Sequence, residues 1–178
     1  PQRRARVMFK FKELVEKNLA AAKAIDLPGE PVAIIAPHAG YAYSGPTAAA
    51  AMKAVAGKPF SRVILIGPSH YAGGSFTRGA IPTVDAFKTP LGEVPLDRPA
   101  CDKLTAGLRR AQSSREKVFI ADDKPHAREH CLEMELPLLQ TVLKDFKIVP
   151  ILVGATNSEL TVAMAKALRG IADEKTLI

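Results

Sequence analysis

The chain has 178 residues, about the size of one domain, and its 25 Lys and Arg against 18 Asp and Glu leave a net charge of +7. Hydrophobic residues make up 47% and charged residues 24%, a balance that excludes a disordered chain, a collagen or a coiled coil. Two cysteines, Cys101 and Cys131, are too few for a disulfide framework and suit a reducing cytoplasm, which is the compartment expected.

The opening Pro1-Gln2-Arg3-Arg4-Ala5-Arg6 is basic, yet no apolar stretch of roughly 7–15 residues follows it, so no secretory signal is read. Nowhere does an apolar run approach the roughly 18 residues of a membrane span, and no membrane partner is expected. The other basic residues are scattered without interleaved aromatics. They read as a solvated surface, not as a specific nucleic-acid site.

Phe11, Leu14, Val15, Leu19 and Ala22 form one apolar stripe at helical spacing, closed by Leu27-Pro28-Gly29. Val32–Ala36 then reads as a buried strand, near-continuous in apolar residues as expected for a strand covered on both faces. A second helix is expected from Pro46 at its first position to Gly57 as its C-terminal cap. Val63–Gly67 is a second buried strand. From Gly79 to Asp97, strand-like pieces broken by Pro82, Pro90, Gly92 and Pro95 read as an irregular β excursion. Leu132, Leu136, Leu139, Leu143 and Phe146 predict a helix that Pro137 interrupts or kinks.

Ile148–Val153 is the third buried strand, and Thr156-Asn157-Ser158-Glu159 is a capping-box pattern opening a helix that stops at Gly170. The final Lys175-Thr176-Leu177-Ile178 reads as entry into a further strand, so the expectation is a single α/β domain over residues 1–178, cut short at its C-terminus. Strands alternating with helices predict a layered α/β sandwich with a largely parallel central sheet.

Ligands of open α/β folds bind beyond the carboxyl ends of the strands. His38 follows the first predicted strand and His70 the second, so both are expected on one rim as metal ligands. In Glu129-His130-Cys131-Leu132-Glu133, His130 and Glu133 would share a helical face, a spacing that serves metal binding or a general base oriented by a carboxylate. Gly40 and Gly45 bracket the loop after His38, with Ser44 or Gly45 able to cap the next helix. Tyr41, Ser69 and Tyr71 are candidate substrate contacts, although the tyrosines could equally pack. Cys131 is expected to be buried filler, and Cys101 has no chemical context. A Ser69 nucleophile served by His70 is disfavoured because adjacent turn residues rarely face each other, and neither Gly-x-Ser-x-Gly nor His-Glu-x-x-His occurs.

Ala-Pro-His-Ala-Gly-Tyr at 36–41, Tyr43-Ser44-Gly45 and Gly-Pro-Ser-His at 67–70 resemble the Memo family, also called AmmeMemoRadiSam system protein B. Thr89-Pro90-Leu91-Gly92, Glu129-His130 with Glu133, Leu136-Pro137 and Val149-Pro150-Ile151-Leu152-Val153-Gly154 continue the resemblance in order. It implies a fold similar to the class III extradiol dioxygenases, which use non-haem iron. It further implies that His38 and His70 are metal ligands, completed by a cysteine much later in the chain. Iron or copper is the implied cofactor, with a redox role, and zinc is possible. Val7-Met8-Phe9-Lys10 departs from the family's usual aromatic opening, and the family's Ser-Ser-Asp-x-x-His motif does not occur up to Ile178.

The leading expectation is thus a metal-binding protein with a dioxygenase-like, oxidoreductase-type pocket, acting on a small molecule or peptide. His130 and Glu133 are its candidate acid–base residues. Two rivals stand beside it: a non-catalytic module that binds phosphopeptides or other ligands, and a zinc hydrolase built on His38, His70, His130 and Glu133.

Overall fold

The computed structural model describes residues 2–23, 25–106 and 117–178, with side chains from residue 10 onward. In chain order the elements are α1 (Gln2–Ala21), α2 (Tyr41–Lys53), β1 (Arg62–Pro68), β2 (Gly79–Ile81), β3 (Ala86–Thr89), β4 (Gly92–Pro95) and α3 (Arg98–Ala106). They continue with β5 (Phe119–Ala121), a short 3₁₀ turn at Lys124–His126, α4 (Cys131–Val142), β6 (Lys147–Val153), α5 (Ser158–Arg169) and β7 (Thr176–Leu177). The side chains of the basic opening run and of Val7, Met8 and Phe9 lie outside the described residues. No described helix is long and apolar enough to cross a membrane.

Five strands form one sheet in the order β5-β2-β6-β1-β7, and β3 and β4 make a separate hairpin. Pairing is parallel at β1–β6, β1–β7 and β2–β5, and antiparallel at β2–β6. The fold is therefore α/β with a largely parallel central sheet flanked by helices. At its centre β1 and β6 run in register from Arg62↔Lys147 to Pro68↔Val153. Ile64, Ile148, Ile151 and Leu152 are buried there, with Leu136, Leu138 and Leu139 of α4 and Val15 of α1 in the same core. Burial of such side chains contributes roughly 1.5–3 kcal/mol each. This core anchors the strand ends from which the site is built.

Four elements differ from the sequence expectation. Val32–Ala36 is extended but lies outside the strand ladders, with Val32 74% and Ile35 97% exposed. Among the described residues its backbone bonds only to Ile178: the Ile178 amide donates to Val32 O at 3.1 Å, and the Ile34 amide donates to Ile178 O at 2.9 Å. That is the exchange of a parallel pair, limited to one rung. Ile34 and Ala36 still pack against the core, so the segment alternates like an edge and is not buried on both faces.

Helix α2 starts at Tyr41 instead of Pro46, because Gly40 O accepts from the Tyr43 and Ser44 amides and Pro46 falls inside the helix. Ser44 is not the cap; its hydroxyl donates to Ala39 O at 2.9 Å. At the other end the helix stops at Lys53 with Ala54 as its cap, short of the Gly57 expected; Gly57, at φ +72°, follows and donates its amide to Val142 O of α4. Helix α5 is capped one residue later than the Thr-x-x-Glu pattern suggests, by Asn157, whose Oδ1 accepts from the Leu160 amide at 2.8 Å. Helix α4 stops at Val142, and Leu143 and Phe146 are buried beyond it.

Candidate metal centre

β1, β7 and the extended Val32–Ala36 segment run the same way, so the segment's end and the end of β1 open on one rim of the sheet. His38 stands beyond the former and His70 beyond the latter. Their rings come together with centroids 5.2 Å apart. The third ring, His130, lies 5.1 Å from His70, stacked at 26°, and 6.0 Å from His38. The reason is local. Gly67, in β1, packs against the start of α4: a Cβ there would stand 2.6 Å from Cys131 Sγ and 2.8 Å from Leu132 Cδ2. Cys131 Sγ also donates to Pro68 O at 3.3 Å. With no side chain at 67, α4 approaches β1 closely enough for its N-cap, His130, to meet His70.

Glu129 fastens the two loops. Its side chain is 2% exposed. Oε2 accepts from the His70 amide at 2.7 Å, and Oε1 accepts from the His130 amide at 3.0 Å. The same Oε1 lies 2.8 Å from His70 Nδ1 and 3.3 Å from His130 Nδ1. Burial alone would raise this carboxyl's pKa, but the bonds from both amides and from the His70 ring bring it down to about 2. An ionised carboxylate only accepts, so His70 Nδ1 carries a hydrogen toward Glu129, and Nε2 is the ring atom left to meet a metal. His38 is pushed below the ordinary imidazole range by burial and then by its neighbours His70 and His130, with Glu129 opposing in part. A neutral imidazole is what a metal ion needs as a ligand.

His70, Glu129 and His130 each offer one ligand atom, and these atoms all lie within 4.8 Å of one another. Imidazoles with a carboxylate suit zinc, copper or iron, so the residues present fit the metals implied by the sequence resemblance.

The remaining predicted residues are not all gathered here. Glu133 is exposed in the first turn of α4 and lines a small cleft with Phe87, His126, Glu129, Leu132 and Leu152. His130 is the non-helical N-cap, at φ −130°, so the helical-face spacing that linked it to Glu133 does not apply. Tyr41 is turned inward, 8% exposed, its hydroxyl donating to Met134 O at 2.6 Å and its ring edge-on to Phe11. Ser69 Oγ accepts from the Ala72 amide within its own turn. Tyr71 stays 53% exposed beside His70.

Glu129, whose carboxylate joins all of this, is not among the site residues that the sequence singles out; Glu133 is. The signal for Glu129 in the sequence is its place in the Glu129-His130 pair of the family resemblance, directly before the start of a helix. His126 stands apart, its Nε2 3.0 Å from Ala80 O. Cys131 is buried as expected, its thiol pushed up to about 12, first by burial.

Residues 9–178 match the family model described as Memo-like protein. A MEMO1 family protein of Pyrobaculum aerophilum is 36% identical over 166 residues, covering 88% of this chain and 55% of that protein. One of Thermotoga neapolitana is 38% identical over 157 residues, covering 87% of this chain and 50% of the other. A memo-1 homolog of Caenorhabditis elegans is 38% identical over 125 residues, 69% of this chain and 33% of that protein. The chain thus spans about half the length, or less, of these curated relatives. With the family model covering nearly all of its residues and the histidine loops folded onto one rim, the chain belongs to the Memo family.

Proposed function

We propose that this chain carries the metal-binding pocket of a dioxygenase-like oxidoreductase, with iron or copper held by the imidazoles of His38, His70 and His130. The observation that supports this reading is the mutual contact of three rings from three separate chain segments, at 5.1 to 6.0 Å. Glu129 is the supporting carboxylate: it already accepts three N–H bonds, orients His70 and leaves that ring's Nε2 free for a metal. When bound, the metal would supply one-electron chemistry at a site open to a small molecule or peptide. His38, kept neutral, would hold or move a proton at whichever ring nitrogen is not engaged.

The test is titration of metal-free protein with Fe(II), Cu(II) and Zn(II), followed by calorimetry and elemental analysis. One ion per chain is expected, with affinity reduced about 10–100-fold in His70→Ala and unchanged in His126→Ala. Reversible oxidation of the bound ion supports the redox reading. Tight binding of zinc alone, with hydrolysis of an ester, would replace it with the hydrolase. No metal binding at all would overturn it.

A further inference from the structure

A positive group beside the histidine cluster has no part in holding the metal. Arg128 lays its guanidinium over the ring of Tyr71, with Cζ 5.1 Å from the centroid. Tyr71 in turn meets the His70 ring edge-on at 6.4 Å. The chain supplies a second link, since Arg128 directly precedes Glu129 and His130. The guanidinium is therefore held beside the histidine cluster by the same two loops that carry His70 and His130.

An arginine in such a place ordinarily finds a carboxylate. Among the described residues Arg128 makes no ion pair. Of the acidic groups near it in sequence, Glu133 is exposed on the first turn of α4, in the cleft beside His126, and makes no ion pair with it among the described residues, while three others are otherwise engaged. Glu129 is buried and bonded to His70 and His130. Asp123 accepts from both the amide and the hydroxyl of Thr83 at 2.6 Å, and Asp122 accepts from the Lys124 amide at 3.0 Å. Stacking on Tyr71 uses the face of the guanidinium and leaves the N–H donors on its edge free. Arg128 and Tyr71 are both exposed, so those donors face open space. Helices α2 and α4 also begin at the cluster, and their amino ends add partial positive charge.

We propose that Arg128, held flat by Tyr71, recognises an oxyanion, carboxylate or phosphoryl, on the ligand that enters the histidine pocket, so that the site selects anionic over neutral molecules. The inference rests on the metal-site reading for what the rest of the ligand meets; capture of the anion needs no metal. Arg128 is a specificity residue, gripping with two parallel N–H bonds, and Tyr71 is the platform that keeps the fork oriented.

The test uses metal-free protein at pH 8, titrated with propionate, methyl phosphate and neutral propionamide. It is followed by nuclear magnetic resonance of the Arg128 side-chain N–H and the His70 ring. Saturable shifts are expected with at least one anion and none with propionamide, and the preferred anion tells carboxylate from phosphoryl. Arg128→Gln weakens binding about tenfold. Arg128→Lys loses less, Tyr71→Phe is close to wild type, and Tyr71→Leu falls between.

A parallel Co(II) titration should be unchanged in Arg128→Gln. Loss of Co(II) binding with anion binding intact would sink the metal reading and leave this one standing. Anion binding that is absent in wild type, or that survives Arg128→Gln and disappears in His70→Ala, would overturn it.

Discussion

Glu135 is 6% exposed, in the second turn of α4, and among the described residues neither carboxylate oxygen has a hydrogen-bond partner. Burial alone pushes its pKa from the ordinary 4.5 up to about 7. The titratable group that senses it is the Tyr41 phenol across on α2, itself raised by burial and then by Glu135. The linkage follows. Below pH 4.5 the carboxyl is protonated in both states and its titration has no effect. Between 4.5 and about 7 the unfolded chain gives up a proton that the folded one keeps, so stability falls as pH rises. Above 7 the loss is complete, at about 3 kcal/mol.

Glu135→Met keeps nearly the same volume and removes the charge. Urea unfolding of both proteins at pH 4.5, 6 and 8 should show the Met variant gaining on wild type, with a difference about 3 kcal/mol larger at pH 8 than at pH 4.5. A difference independent of pH would refute the reasoning, because it would mean that the carboxylate is solvated or paired.

Other consequences are as direct. Gly67→Ala puts a Cβ against Cys131 and Leu132 and should cost about 1–3 kcal/mol in urea unfolding, together with a loss of metal affinity as His130 is pushed from His70. Glu129→Ala leaves two amides and the His70 Nδ1–H without their acceptor, so a loss of about 3–5 kcal/mol is expected, measurable by thermal unfolding at pH 7. In wild type that carboxylate's contribution is present above pH 4.5 and fades as pH falls toward about 2, so acid unfolding of Glu129→Ala should be flatter over that range. Asn157→Ala removes the α5 cap and should cost about 1 kcal/mol by the same assay, without affecting metal binding.

What the sequence reveals of this fold depends on burial. Val63–Gly67 and Ile148–Val153 are continuous β-branched or aliphatic runs, and both proved to be central strands, because such runs are stable only when covered on both sides. Val32–Ala36 has the same composition and a different fate, since composition does not say how many rungs a neighbour offers. Strands β2 and β5 are three residues each, too short for any period to show, and α3 is nine residues long, with Ala100, Cys101 and Leu104 its buried side chains. Helix α2 began early because Gly40 can serve as a cap with no side-chain signature, whereas Pro46 carries a strong but misleading one. Strand-end logic put His38 and His70 on one rim, and their rings are in contact there. Periodicity could not find Glu129, because it acts through backbone amides.

The distance between His70 and His130, 60 positions apart in the chain, is set by residues with no chemistry to offer a ligand. Gly67 contributes the absence of a side chain. Cys131, its thiol held protonated up to about 12, contributes a small apolar volume and one bond to Pro68 O. Together they let α4 sit against the end of β1, and Glu129 then fixes the two loops by bonding to an amide on each. A bulkier residue at 67 would leave every histidine in the sequence and still dismantle the cluster. The chemistry of the site therefore resides in the imidazoles, but its geometry resides in the packing beneath them.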